Sequence, residues 1–125
     1  MSPLTLLCYL LALALVVIGI AGLLFPEAAS RLYGARVRDP ASHGFVRATA
    51  FRDIGIGVAL AVAVYSHVFL LLVTLIAIGV AISFADFAIV FNARGKRLGV
   101  SHAGHAAGAI AFIVALGMVL FAIGR

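Results

Sequence analysis

The residues able to do chemistry in this chain are few, and they interrupt runs where ionisable groups are rare. Arg52 and Asp53 are adjacent within Ala48-Thr-Ala-Phe-Arg-Asp-Ile-Gly-Ile-Gly57, Asp86 falls late in a second apolar run, and His102 and His105 open a third. A charge at the centre of a membrane span costs roughly 2.5–3.5 kcal/mol on insertion scales, so such groups are paired and frequently functional. Arg cannot be neutralised and must find an acceptor. Asp86 is the expected partner of Arg52, which leaves Asp53 for Arg47, a histidine or a ligand. Asp53 or Asp86 is then the candidate general acid or base, and Arg52 the group that holds an anionic or oxygen-rich part of a substrate. Arg47, Tyr33, His102, His105 and Asn92 complete the expected ligand-binding set. The structural alternative is a closed ion-pair network that only fixes helix register.

His102-Ala-Gly-His105 has i, i+3 spacing, which lets both rings face one way. With Asp86 nearby they would suit a metal, haem iron or proton transfer. Two histidines at the interfacial end of a helix are more often tolerated polar residues, so no cofactor is expected, and haem or metal at His102 and His105 is the lesser alternative. Phe84, Phe87 and Phe91 bracket Asp86 at helical spacing and read first as lipid-facing filler. His43 and His67, at loop edges, read as solvated. Walker, nucleophile-elbow, HExxH and CxxC signatures do not occur, which argues against an ATPase or a serine hydrolase.

The elements that must position these groups are membrane helices. Of 125 residues, 66% are hydrophobic and 10% charged, where a soluble domain has about 25% charged. Four apolar runs, approximately 4–25, 44–66, 68–92 and 101–124, are each long enough to cross a bilayer, which takes about 20 residues. The expectation is one all-α domain over residues 1–125, a four-helix transmembrane bundle running up-down-up-down. Pro26 to Tyr33 reads as a short interfacial helix between the first two spans. The first run has no preceding Lys or Arg and exceeds a usual signal h-region, so it reads as a retained span. Cys8, the single cysteine, reads as a small buried hydrophobe.

The net charge of +5 has its explanation in topology rather than in nucleic acid. Arg31, Arg36 and Arg38 flank the first connection, with Tyr33, and Arg94, Lys96 and Arg97 occupy the third, while the second holds only His67. Cytoplasmic loops carry the Lys/Arg excess. Loops 1 and 3 are therefore expected on the cytoplasmic side of the cell membrane, with both termini opposite. Arg52 and Asp53 then lie roughly 12 Å in from that side and Asp86 roughly 9 Å, at 1.5 Å per helical residue. All embedded ionisable groups fall in one half. On the second span, Ala48, Arg52, Gly55 and Ala59 share one stripe and Thr49, Asp53 and Gly57 the next, and both are expected to face the bundle interior. Gly104-Ala-His-Ala-Gly108 is a GxxxG match, read as close packing within the bundle before a homo-oligomer face.

Leu32-Tyr-Gly-Ala35, followed by Arg47-Ala-Thr-Ala-Phe-Arg52-Asp53-Ile-Gly-Ile-Gly57, resembles a known group. The chain is similar to small four-helix membrane proteins catalogued only as a domain of unknown function, with a looser likeness to the DoxX-like group. Phe25-Pro26, Arg52-Asp53, Gly55, Gly57 and Asp86 follow the group's pattern in order. The resemblance implies a four-helix fold over nearly the whole chain and supplies no activity.

Together these readings point to a membrane-embedded enzyme or binder for a small apolar or amphipathic molecule, such as a quinone, terpenoid or epoxide, entering from the lipid. Isomerisation, cyclisation or hydration suits a site of acids and bases without a nucleotide. A proton-coupled small transporter acting as a homodimer is one alternative, and an accessory subunit with a purely structural ion pair is another.

Overall fold

The computed structural model describes residues 1–33, 39–93 and 99–123. The expectations placed on Arg36, Arg38, Arg94, Lys96 and Arg97 lie outside the described residues. Helix α1 spans Pro3–Leu24, α2 Pro26–Leu32, α3 His43–Tyr65, α4 Phe69–Ala93 and α5 Val100–Ile123, with a 3-10 turn at Pro40–Ser42. Four of these helices are long and apolar enough to cross a membrane. At 22 to 25 residues each, they match the roughly 30 Å hydrocarbon core. The chain is an all-α, multi-pass membrane protein.

Local chemistry sets the boundaries. Ser2 caps α1, its Oγ accepting from the Thr5 N–H at 3.1 Å, with Pro3 in the first turn, where a missing N–H costs nothing. The helix stops at Phe25 because Pro26 follows; Pro26 then starts α2, with Glu27 in its first turn and Arg31 in its last, each complementing the helix dipole. Asp39 accepts from the backbone N–H groups of Ala41 and Ser42 at 3.1 and 3.0 Å and from the Ser42 hydroxyl at 2.6 Å. Those three donors hold its carboxyl below the usual carboxylate range. Between α3 and α4 the link is only Ser66 to Val68, and His67 turns in the left-handed region at φ 54°, a conformation that glycine usually supplies after a helix.

Packing is strongest between α1 and α3 and between α4 and α5, with α3 also against α4. Helices α1 and α3 bring backbone against backbone at two glycines. A Cβ on Gly57 would lie 2.7 Å from the Ala12 carbonyl oxygen, and one on Gly19 would lie 2.6 Å from that of Ala50. Only hydrogen fits there. Cys8 and Ala12 of α1, Leu60 and Val64 of α3, Ile76 of α4, and Phe112, Ala115 and Val119 of α5 form the buried core. Cys8 is fully buried in it, as its setting suggested. Leu13, Phe51, Leu70, Phe84, Ile110 and Phe121 are among the large apolar side chains left exposed. A patch of that extent is untenable in water and natural against lipid.

One expectation about α3 is corrected. Its inward face runs Val46, Ala50, Asp53, Gly57, Leu60 and Val64, so only the Asp53–Gly57 stripe is interior. Ala48 and Gly55 are exposed, and a Cβ on Gly55 would meet nothing within 4 Å. The α1 contact decides this, because the glycine that admits a neighbouring backbone is Gly57.

Candidate functional site

The polar groups of α3 and α4 meet through one guanidinium. Arg52 donates from Nε to Asp53 Oδ1 at 3.1 Å and from Nη2 to the same oxygen at 3.0 Å, and Nη2 also reaches Asp86 Oδ2 at 3.0 Å. The expected Arg52–Asp86 pair is therefore present. Asp53 is not left over for another partner: Arg52 serves it too, although the residues are neighbours in sequence. A long 3.4 Å bond from the Tyr33 hydroxyl occupies Asp53 Oδ2. Asp53 is buried and Asp86 about a quarter exposed, while Arg52 sits at the rim with 36% of its side chain accessible.

Tyr33 follows α2, outside the spanning helices, and α2 delivers it to the cluster. Burial first, then the nearby Asp53 carboxylate, pushes its phenol up to about 12. The short helix α2 thus carries a hydrogen-bond donor onto the buried aspartate.

Two cavities flank the cluster. The larger, about 420 Å³, is lined by Tyr33, Arg52, Asp53, Asp86 and His105, and by a remainder that is apolar apart from Ser83 and includes Ile56 and Phe112. The other, about 350 Å³, lies between α2, the 3-10 turn and the ends of α3, α4 and α5, where Ser42, Thr49 and Val90 contribute. Tyr33, Asp86 and His105 line both. A mostly apolar cavity of this size with a few convergent polar groups is the ordinary form of a small-molecule site.

The other expected residues divide. His105 reaches both cavities, and its Nε2 is buried without a hydrogen-bond partner. His102 lines neither of the two. It is buried, its Nδ1 accepts from the Gly99 N–H at 2.9 Å, and its ring meets Phe87 and Phe91 edge-on at 5.4 and 6.0 Å. The two histidines therefore have different surroundings despite their i, i+3 spacing. Among the described residues no three His, Cys, Asp or Glu side chains come together as a metal set. Arg47 and Asn92 are exposed and line neither cavity. Phe87 and Phe91 hold His102 rather than only filling lipid space, while Phe84 is exposed. The Nε2 of His43 is buried without a partner, so that ring is not simply solvated; His67 is exposed.

Sequence reasoning passed over Gly79, Ser83 and Phe112 as cavity wall. The signal was available: Gly79, Ser83 and Asp86 fall on one face of α4, as do His105, Gly108 and Phe112 on α5. The GxxxG pair splits, since a Cβ on Gly108 would touch Ser83 Oγ at 3.6 Å while one on Gly104 would meet nothing within 4 Å.

No curated protein and no solved structure matches this chain. The family model described as Domain of unknown function (DUF4267) matches residues 12–120, a stretch that takes in Tyr33, the Arg52–Asp53–Asp86 cluster and His105, and the chain belongs to that family.

Proposed function

We propose that this protein is a membrane-embedded enzyme or binding protein for a small, largely apolar molecule that reaches its site from the bilayer. The observation that carries this reading is the 420 Å³ cavity, apolar over most of its wall and bounded on one side by Arg52, Asp53 and Asp86. A proton exchanged between a bound molecule and one of these carboxyls gives isomerase-, cyclase- or hydratase-type chemistry. Asp86 is the more accessible donor or acceptor, and Asp53 is steadied by Tyr33 and Arg52. The Lys/Arg content of loops 1 and 3 favours a cytoplasmic position for this end of the bundle, with both termini opposite.

The test is protein extracted in mild detergent, with mass spectrometry of its organic extract and thermal melts against a panel of quinones, terpenoids and epoxides. A stoichiometric guest, or stabilisation by one class, lost in the cavity-filling Gly108→Leu, is the expected result. If only bulk lipid is recovered and no class stabilises the wild type, the reading fails.

A second reading is favoured by one observation: Tyr33, Asp86 and His105 separate two cavities, the layout of an exchange path. A proton-coupled transporter working as a homodimer would show pH-dependent ligand flux in liposomes that Asp86→Asn abolishes while folding survives.

A further inference from the structure

Charge counted around the larger cavity narrows the kind of molecule it accepts. Among the described residues Arg52 is the one cation on its wall, and it is shared by two carboxylates, Asp53 and Asp86. The other titratable groups facing the cavity are Tyr33, after α2, and His105, on α5; α1 contributes only Leu15 and Ile18. Set against Asp53 and Asp86, the one Arg52 cation leaves one negative charge uncompensated. Neither Arg31, which pairs with Glu27, nor the exposed Arg47 lines this cavity. Away from water a net charge is expensive unless it is paired. A proton or a cationic ligand relieves it, and an anionic ligand makes it worse. Arg52 already gives its Nε and Nη2 to carboxylates. The wall also holds Tyr33 and Phe112, rings of the kind on which an ammonium group settles.

We propose that the cavity is selective for a lipophilic cation, a protonated amine on an apolar skeleton, which enters in exchange for one proton held by the Asp53–Asp86 pair. One positive charge arrives and one leaves, so the cluster stays neutral throughout. The proposal rests on the cavity being a ligand site and specifies its ligand class.

Three probes of one skeleton test it: phenylbutylamine as cation, phenylbutanol as neutral form and phenylbutyrate as anion, titrated calorimetrically into the whole protein in nanodiscs. The amine should bind at least about tenfold more tightly than the alcohol, with the anion weakest. The amine's advantage should grow from acid to neutral pH, because a proton on the Asp53–Asp86 pair removes the net negative charge. Proton release measured in two buffers of different ionisation enthalpy should approach one per amine bound at the acid end. In Asp86→Asn the amine and the alcohol should bind alike, with the alcohol's affinity retained. Should that variant misfold, the wild-type pH series carries the same information. Equal binding of amine and alcohol, or tightest binding of the anion, overturns the cation selectivity and leaves the apolar site standing. Binding of none of the three overturns both.

Discussion

Arg52 is the residue on which the site depends, because one nitrogen, Nη2, bonds both aspartates. Removing Arg52 strands two carboxylates, whereas Asp86→Asn strands none. Breaking a fully buried ion pair costs about 3–5 kcal/mol; with Arg52 about a third exposed and Asp86 a quarter exposed, the cost here should be smaller. Arg52→Leu should therefore lower the melting temperature in detergent clearly more than Asp86→Asn at neutral pH. The deficit should shrink in acid, where a neutral carboxyl needs no cation. Equal melting temperatures for both variants across pH would contradict the shared-arginine account. Tyr33 gives a second readout. Its phenol is raised from about 10 to about 12, so its contribution to stability is complete below pH 10 and is lost as pH rises through 12. A spectrophotometric phenolate titration should show one tyrosine ionising near pH 12, and Tyr33→Phe should remove that step at a cost of no more than about 1 kcal/mol, given the long hydrogen bond.

At the scale of elements, α1 and α3 form the most closely packed pair, and backbone meets backbone at Gly19 and Gly57. In a membrane, close packing replaces the hydrophobic drive between helices. Gly57→Ala should thus destabilise by about 1–3 kcal/mol through overpacking, while Gly55→Ala and Gly104→Ala, open on their faces, should be neutral or slightly stabilising in the same thermal assay. Similar losses at all three positions would mean that α1 and α3 do not meet as described. Helix α2 is the other informative element. Its proline start and charged ends were legible in the sequence, and so was its place between two spans. That it brings Tyr33 onto Asp53 was not, because a 20-residue separation leaves no periodic trace.

Among the described residues the exterior is largely apolar, and the Arg52, Asp53 and Asp86 ion pairs gather toward one end of the bundle. If loops 1 and 3 are cytoplasmic, then in a Cys8→Ala background Asp39→Cys should react with an impermeant maleimide only from the cytoplasmic side and His67→Cys only from the opposite side of sealed vesicles. Labelling of both from one side would refute the four-pass arrangement. The sequence by itself determined the class, the four long apolar helices to within a few residues, the short helix after Pro26 and the pairing of Arg52 with Asp86. A bilayer imposes a simple test of length and hydropathy on each segment, and a buried arginine must have an acid. Only the tertiary structure decided that Asp53 shares that arginine, that Arg47 and Asn92 stand outside the cavities, and that His105 lines them while His102 packs among phenylalanines. Apolar residues surround every span, so its inward face is set by which glycines admit a neighbouring backbone and by which side chains then close around the space that remains.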